Sequence, residues 1–123
     1  MKLLGAHTIN NGGIHMAVKR AANADMTAMQ LFTVIPKFYG DKSNINPDRV
    51  KRFKAALAES KIKPQAVVVH APYVLSVATP DDEKWARASG GLTKELERSS
   101  AIGAGCVVDI VWFRSGREAH FTR

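Results

Sequence analysis

A chain of 123 residues with 46% hydrophobic side chains can close one modest core, and nothing in it suggests a second domain. Eighteen Lys and Arg against 11 Asp and Glu leave a formal charge of +7, which disfavours a cationic partner and favours an anionic one such as nucleic acid, without identifying it. The single cysteine, Cys106, excludes an internal disulfide and points to a reducing, cytoplasmic setting. No segment reaches the roughly 20 apolar residues of a membrane span, and the apolar run in MKLLGAHTIN is too short for a secretory signal.

In chain order, Lys2 to Ala6 reads as a first strand, stopped by the turn-rich TINNGG. Ile14, Ala17, Val18 and Ala21 recur at i, i+3, i+4 and i+7, which puts one apolar stripe on a helix running to about Ala24. Thr27 to Phe32 is a second strand, followed by the polar loop KFYGDKSNIN. Asn46 can cap the next helix, Pro47 suits its first turn and Asp48 complements its dipole, with Val50, Phe53 and Leu57 as the buried face.

Ala66 to Val69 is apolar without alternation, as expected of a parallel strand covered on both faces. Thr79-Pro80-Asp81-Asp82 repeats the sequence of cap, proline and acid, opening a helix that carries Trp85, Leu92, Leu96 and Ile102. Gly90-Gly91 is expected to interrupt it, at about 1 kcal/mol per glycine relative to alanine. A fourth strand starts near Cys106. The order β-α-β-α-β-α-β predicts an α/β fold with a parallel sheet and right-handed connections.

Ligands of parallel α/β folds bind beyond the carboxyl ends of the strands, where loops are free of packing duties. His70 and His7 both fall at such ends, expected to be neighbouring strand tips, and two imidazoles there could share a metal. A hydrogen-bonded structural histidine is the commoner occupant of such a position. His15 and His120 read as solvated, and Cys106 as an inert thiol buried in its strand. Asn10 to Gly13 could offer backbone amides to a phosphate, or simply make a strand-to-helix turn. Arg49, Lys51, Arg52 and Lys54 interleave with Val50 and Phe53 as a solvated helix face. Lys37, Phe38, Tyr39 and Tyr73 lie in loops on the carboxyl side, where cations meet phosphates and rings stack on bases.

Five segments taken together, GAH at Gly5 to His7, GG at Gly12-Gly13, QLFT at Gln30 to Thr33, VVHAPY at Val68 to Tyr73 and ELERSSAIGAG at Glu95 to Gly105, resemble the endonuclease IV (deoxyribonuclease IV) family of the xylose-isomerase-like TIM barrel superfamily. The order and spacing match over roughly residues 2 to 108. The resemblance implies the N-terminal portion of a (β/α)8 barrel, about three and a half of its units. It further implies a trinuclear zinc site and hydrolysis of the phosphodiester 5′ of abasic sites in DNA. By that resemblance His70 is the zinc ligand that ends the third strand, and Tyr73 with Val74 behind it is the wedge that the third loop pushes into DNA. Lys37 stands where many relatives carry Arg, keeping the charge without the planar guanidinium.

The chain departs from the family after Val108. By ungapped counting Ile110 takes the place of a fourth-strand histidine ligand, and an isoleucine cannot bind zinc. Residues 109–123 therefore read as a divergent tail, expected from a truncated or frame-shifted gene. The open sheet edges of a partial barrel favour self-association. Two other functions share these residues: a sugar-phosphate isomerase or epimerase on the same barrel, and a basic, non-catalytic DNA-binding fragment.

Overall fold

Four short strands lie side by side in the order of their appearance in the chain, β1 (Gly5–His7), β2 (Ala28–Leu31), β3 (Val67–His70) and β4 (Cys106–Val108), and every pair is parallel. The helices between them are α1 (Ile14–Asn23), α2 (Pro47–Ala58) and α3 (Asp82–Ile102), with a 3-10 turn at Pro64–Ala66 leading into β3. This is a computed structural model, and it describes residues 1–34, 44–73 and 75–109. Lys37, Phe38, Tyr39, Val74, Ile110 and His120 fall outside the described residues.

The alternating directions of strand side chains decide which face is core. Met29 and Leu31 of β2 and Val67 and Val69 of β3 are buried. They join Ile14, Ala17, Val18 and Ala21 of α1 and Phe53, Ala56 and Leu57 of α2 in one cluster. Ala28, Gln30, Val68 and His70, on the opposite face, are only half-buried. The third strand is thus not covered on both faces as its composition suggests, because the core joins the helices to one face alone. Cys106, expected to be buried, is exposed for a related reason: it sits on the half-open face of an outer strand. Val50 packs on the edge of the core rather than inside it, and Ala56 takes its place.

Helix starts follow the chemistry of their first turns. The Asn46 side chain accepts the Asp48 N–H at 2.8 Å, as its sequence position predicts. Asn46→Ala is expected to lower stability by about 1 kcal/mol, read as a reduced urea midpoint with unchanged slope. In α3 the cap is Asp81 rather than Thr79: its carboxylate accepts the Lys84 N–H at 2.9 Å. Thr79 instead accepts from the Asp81 N–H at 3.3 Å, one step upstream.

The α3 helix runs unbroken through Gly90-Gly91. Gly91 is buried, and a Cβ there would come within 2.6 Å of Leu75 Cδ2, so the missing side chain lets the helix close on Leu75. Tertiary packing offsets the poor helix propensity. The helix ends at Gly103, whose φ of 74° is left-handed, with the Gly103 and Ala104 N–H groups donating to Ser100 and Ser99 carbonyls at 3.0 Å.

Its buried stripe is also not the apolar one. Leu96 is 52% exposed, Trp85 and Leu92 are half-buried, and the residues facing inward are Ala88, Gly91, Glu95, Arg98, Ser99 and Ile102. Glu95 and Arg98 form a buried ion pair, Arg98 Nη2 donating to Glu95 Oε2 at 2.8 Å. The second carboxylate oxygen accepts from the Thr33 hydroxyl, just beyond β2, so the pair ties the helix to the end of a strand.

Candidate active site at the strand tips

His7 owes its place to Gly5. A Cβ on Gly5 would lie 1.9 Å from the Ala28 carbonyl oxygen, so only glycine lets β1 approach β2 this closely. Beyond His7 the chain is tied down at once. The Thr8 N–H donates to the Gln30 carbonyl at 2.9 Å, and the buried Thr8 hydroxyl donates to the Ala17 carbonyl at 3.0 Å. Asn10 Nδ2 donates to the Phe32 carbonyl at 2.8 Å, and Arg20 holds the carbonyls of Ile9 and Asn11, each at 2.9 Å. Asn10 to Gly13 are accordingly a fastened turn, with Gly12 and Gly13 at φ of 89° and 120°. Together with Thr33, Asn46, Arg49 and Arg98 this turn borders a cavity of about 680 Å³.

Register then places His7 opposite Gln30 and Gln30 opposite Val68, on the half-open face of the sheet. His70 ends β3 on the same face, opposite Val108. The two histidines are not on adjacent strands, because β2 runs between them. Phe32, directly after β2, packs on both rings: its ring centroid is 4.6 Å from that of His7 and 5.2 Å from that of His70. The imidazoles themselves are 6.3 Å apart in an edge-on arrangement.

Each ring is held by one nitrogen. His7 Nδ1 is 2.9 Å from the Gln30 side-chain nitrogen, and His70 Nδ1 is 2.5 Å from the Ala71 carbonyl oxygen. Partial burial, and secondly the proximity of His70, hold the His7 pKa below its ordinary 6.5. The folded chain therefore binds fewer protons here than the unfolded chain does. This contribution to stability is intact above about pH 6.5 and declines as pH falls from there toward the lowered folded value. The expected result in a histidine NMR titration is a His7 midpoint below 6.5, and His7→Gln should remove that part of the acid sensitivity.

Of the residues that sequence places in the site, His70 and Tyr73 lie within the described chain. His70 is half-buried at the strand tip, and Tyr73, three residues on, is 46% exposed. Lys37 and Val74 lie outside the described residues. Sequence alone does not single out Gln30 and Phe32 as partners of the histidines. The signal for Gln30 is a polar residue interrupting an apolar strand, and strand register is needed to bring it to His7. Among the described residues no group of three or more His, Cys, Asp or Glu is arranged to hold a metal ion. The described residues thus supply two oriented imidazoles and do not make up a complete zinc centre.

A four-stranded parallel sheet with its helices on one face, and with side chains converging at the carboxyl ends of the strands, belongs to the barrel class of α/β proteins. Residues 18–122 match the xylose isomerase-like TIM barrel family, and the chain belongs to that family. Within it, the similarity runs to endonuclease IV proteins. The chain is 30% identical over 118 residues to the probable endonuclease 4 of Halothermothrix orenii, a match covering 96% of this chain and 41% of that protein. To the probable endonuclease 4 of Cenarchaeum symbiosum it is 35% identical over 100 residues, 81% of this chain and 35% of the other. The crystal structure of endonuclease IV from Thermus thermophilus superposes with a TM-score of 0.76 at 27% identity, covering 85% of this chain and 38% of that one. The chain thus spans 35–41% of the length of these two curated relatives.

Proposed function

We propose that this chain is part of a zinc-dependent DNA-repair endonuclease that hydrolyses the phosphodiester 5′ of abasic sites. The observation that carries the reading is the setting of His70. Its Nδ1 donates to the Ala71 carbonyl, which leaves the Nε2 lone pair for a metal at the tip of β3, the usual backbone-anchored arrangement of a histidine ligand. Zinc, when bound, would supply a low-pKa water and neutralise the attacked phosphate. Tyr73, exposed just beyond, supplies a flat surface for an unstacked nucleotide, and the charge of +7 suits a polyanion. Lys37 and Val74 complete the DNA-contacting set in this reading.

The matching family is described as xylose isomerase-like, so a sugar-phosphate isomerase or epimerase is the second reading. The experiment compares the purified chain and its His70→Ala variant for zinc binding and for binding to abasic duplex, intact duplex and a sugar phosphate. The endonuclease reading expects zinc to be lost with His70 and the abasic duplex to be preferred over the intact one. Binding of both duplexes alike, with a steep salt dependence indifferent to zinc, would leave only a basic DNA-binding fragment. A preference for the sugar phosphate would transfer the assignment to the isomerases.

Because the described residues provide a single oriented ligand, the 123 residues by themselves are expected to nick abasic DNA no faster than a no-protein control. Strands β1 and β4 are the outer strands of the described sheet, and the exposed Leu3, Leu4 and Val108 lie next to or on them. Self-association through those edges is part of the proposal, tested by sedimentation across a concentration series.

A further inference from the structure

Beside His70 the strand tips carry a second imidazole for which the proposed function has no task. His7 is exposed and borders a shallow concavity of about 240 Å³ with Gly5, Ala28, Gln30 and Val68. What it can bind depends on where its proton sits. The Gln30 side-chain nitrogen is a donor only, so His7 Nδ1, 2.9 Å away, must accept. The ring proton is then on Nε2. His70 is the opposite case: the Ala71 carbonyl accepts only, so the His70 proton is on Nδ1 and its lone pair is on Nε2. A metal ion takes a lone pair, whereas an anionic oxygen takes a proton.

We infer that His7 donates a hydrogen bond from Nε2 to an anionic oxygen of a phosphodiester at the strand tips, is fixed in that tautomer by Gln30, and is not a metal ligand. The identity of the oxygen rests on the endonuclease reading; the tautomer does not. Two further observations favour the role. Gly5, Ala28 and Val68 bring no polar side chain to the concavity, so an oxygen arriving there meets His7 and Gln30. The two imidazoles lie only 6.3 Å apart, centroid to centroid, so a cation on one and an anionic oxygen on the other can belong to the same ligand. Gln30 is a positioning residue by this account. A carboxylate in its place accepts only, and would draw the His7 proton to Nδ1 and turn the Nε2 lone pair outward.

The test is a long-range proton–nitrogen correlation spectrum of the full 123-residue chain labelled with nitrogen-15 in histidine, at about pH 8, where ordinary histidines are neutral. The expected spectrum has the His7 proton on Nε2 and the His70 proton on Nδ1. Added zinc should shift His70 Nε2 and leave both His7 nitrogens in place, whereas inorganic phosphate should shift His7 Nε2. In Gln30→Glu the His7 proton should move to Nδ1, and zinc should now perturb both histidines. A proton on Nδ1 of His7 in the unmodified chain, zinc shifts on His7 as large as those on His70, or a phosphate titration that leaves His7 Nε2 unmoved would each overturn the inference. Zinc that leaves His70 unmoved, with His7 behaving as expected, would instead remove the support that His70 lends to the metal-dependent reading while the donor role stands.

Discussion

Arg98→Ala should cost about 3–5 kcal/mol, because it removes one member of a buried ion pair and strands the other. Glu95 is 0% exposed and Arg98 is 3% exposed, so neither charge can recover its lost partner from water. After the substitution the Glu95 carboxylate would keep the Thr33 hydroxyl but lose the cation that balances it. Against a total stability of about 5–15 kcal/mol for a typical domain, that loss removes about a fifth of the margin at the least and nearly all of it at the low end. Urea denaturation followed by far-ultraviolet circular dichroism measures it. The double variant Glu95→Leu with Arg98→Met should recover most of the loss, since replacing a whole buried pair by apolar groups is often neutral or stabilising. A double variant as unstable as the single one would show that the pair is needed for more than mutual neutralisation.

Gly5→Val is expected to separate β1 from β2. The first carbon of any side chain at Gly5 would lie 1.9 Å from the Ala28 carbonyl oxygen, and a backbone atom in a strand cannot step aside as a flexible side chain can. Overpacking usually costs about 1–3 kcal/mol and sometimes more, and a clash with backbone belongs at the upper end. The consequence reaches the site, since His7 is two residues along the same strand. Hydrogen exchange is the direct measurement: the Thr8 amide, which donates to the Gln30 carbonyl at 2.9 Å, should lose its protection before the β2–β3 amides do. Equal protection of Thr8 in the variant and the parent chain would show that the strand pair tolerates the clash.

Gly5 sits in a recognisable GAH segment, but the reason for a glycine appears only once register brings Ala28 opposite. Glu95 and Arg98 sit in the equally recognisable ELERSSAIGAG segment, but on a helix whose apolar residues, Trp85, Leu92 and Leu96, mark another stripe. The stripe that packs is set by the end of β2, where Thr33 waits for a carboxylate, and no periodicity within α3 can reveal a partner 62 residues away.

Local chemistry is far more legible. Asn46, Pro47 and Asp48 start α2 where their side chains dictate, because capping is decided within one turn. The alternation of strands and helices, and hence the parallel α/β class, is also readable, since each element carries its own period. His70 and His7 are legible as strand-tip residues; the strand that runs between them and the packing of Phe32 on both rings are not, because these follow only from the lateral order of the strands. Cys106 misleads on the same ground: an apolar neighbourhood in sequence says nothing of whether a strand is flanked.

The strand order has one more consequence, for the way the chain is made. Each strand of the described sheet after the first pairs with the strand immediately before it in sequence, and none has to wait for a distant segment to be synthesised. Growth during translation can therefore proceed outward from β1, one crossover at a time, with every new strand finding its template already in place. The nascent chain would always present a single growing front, and whatever the ribosome delivers next would be the first candidate to dock on it.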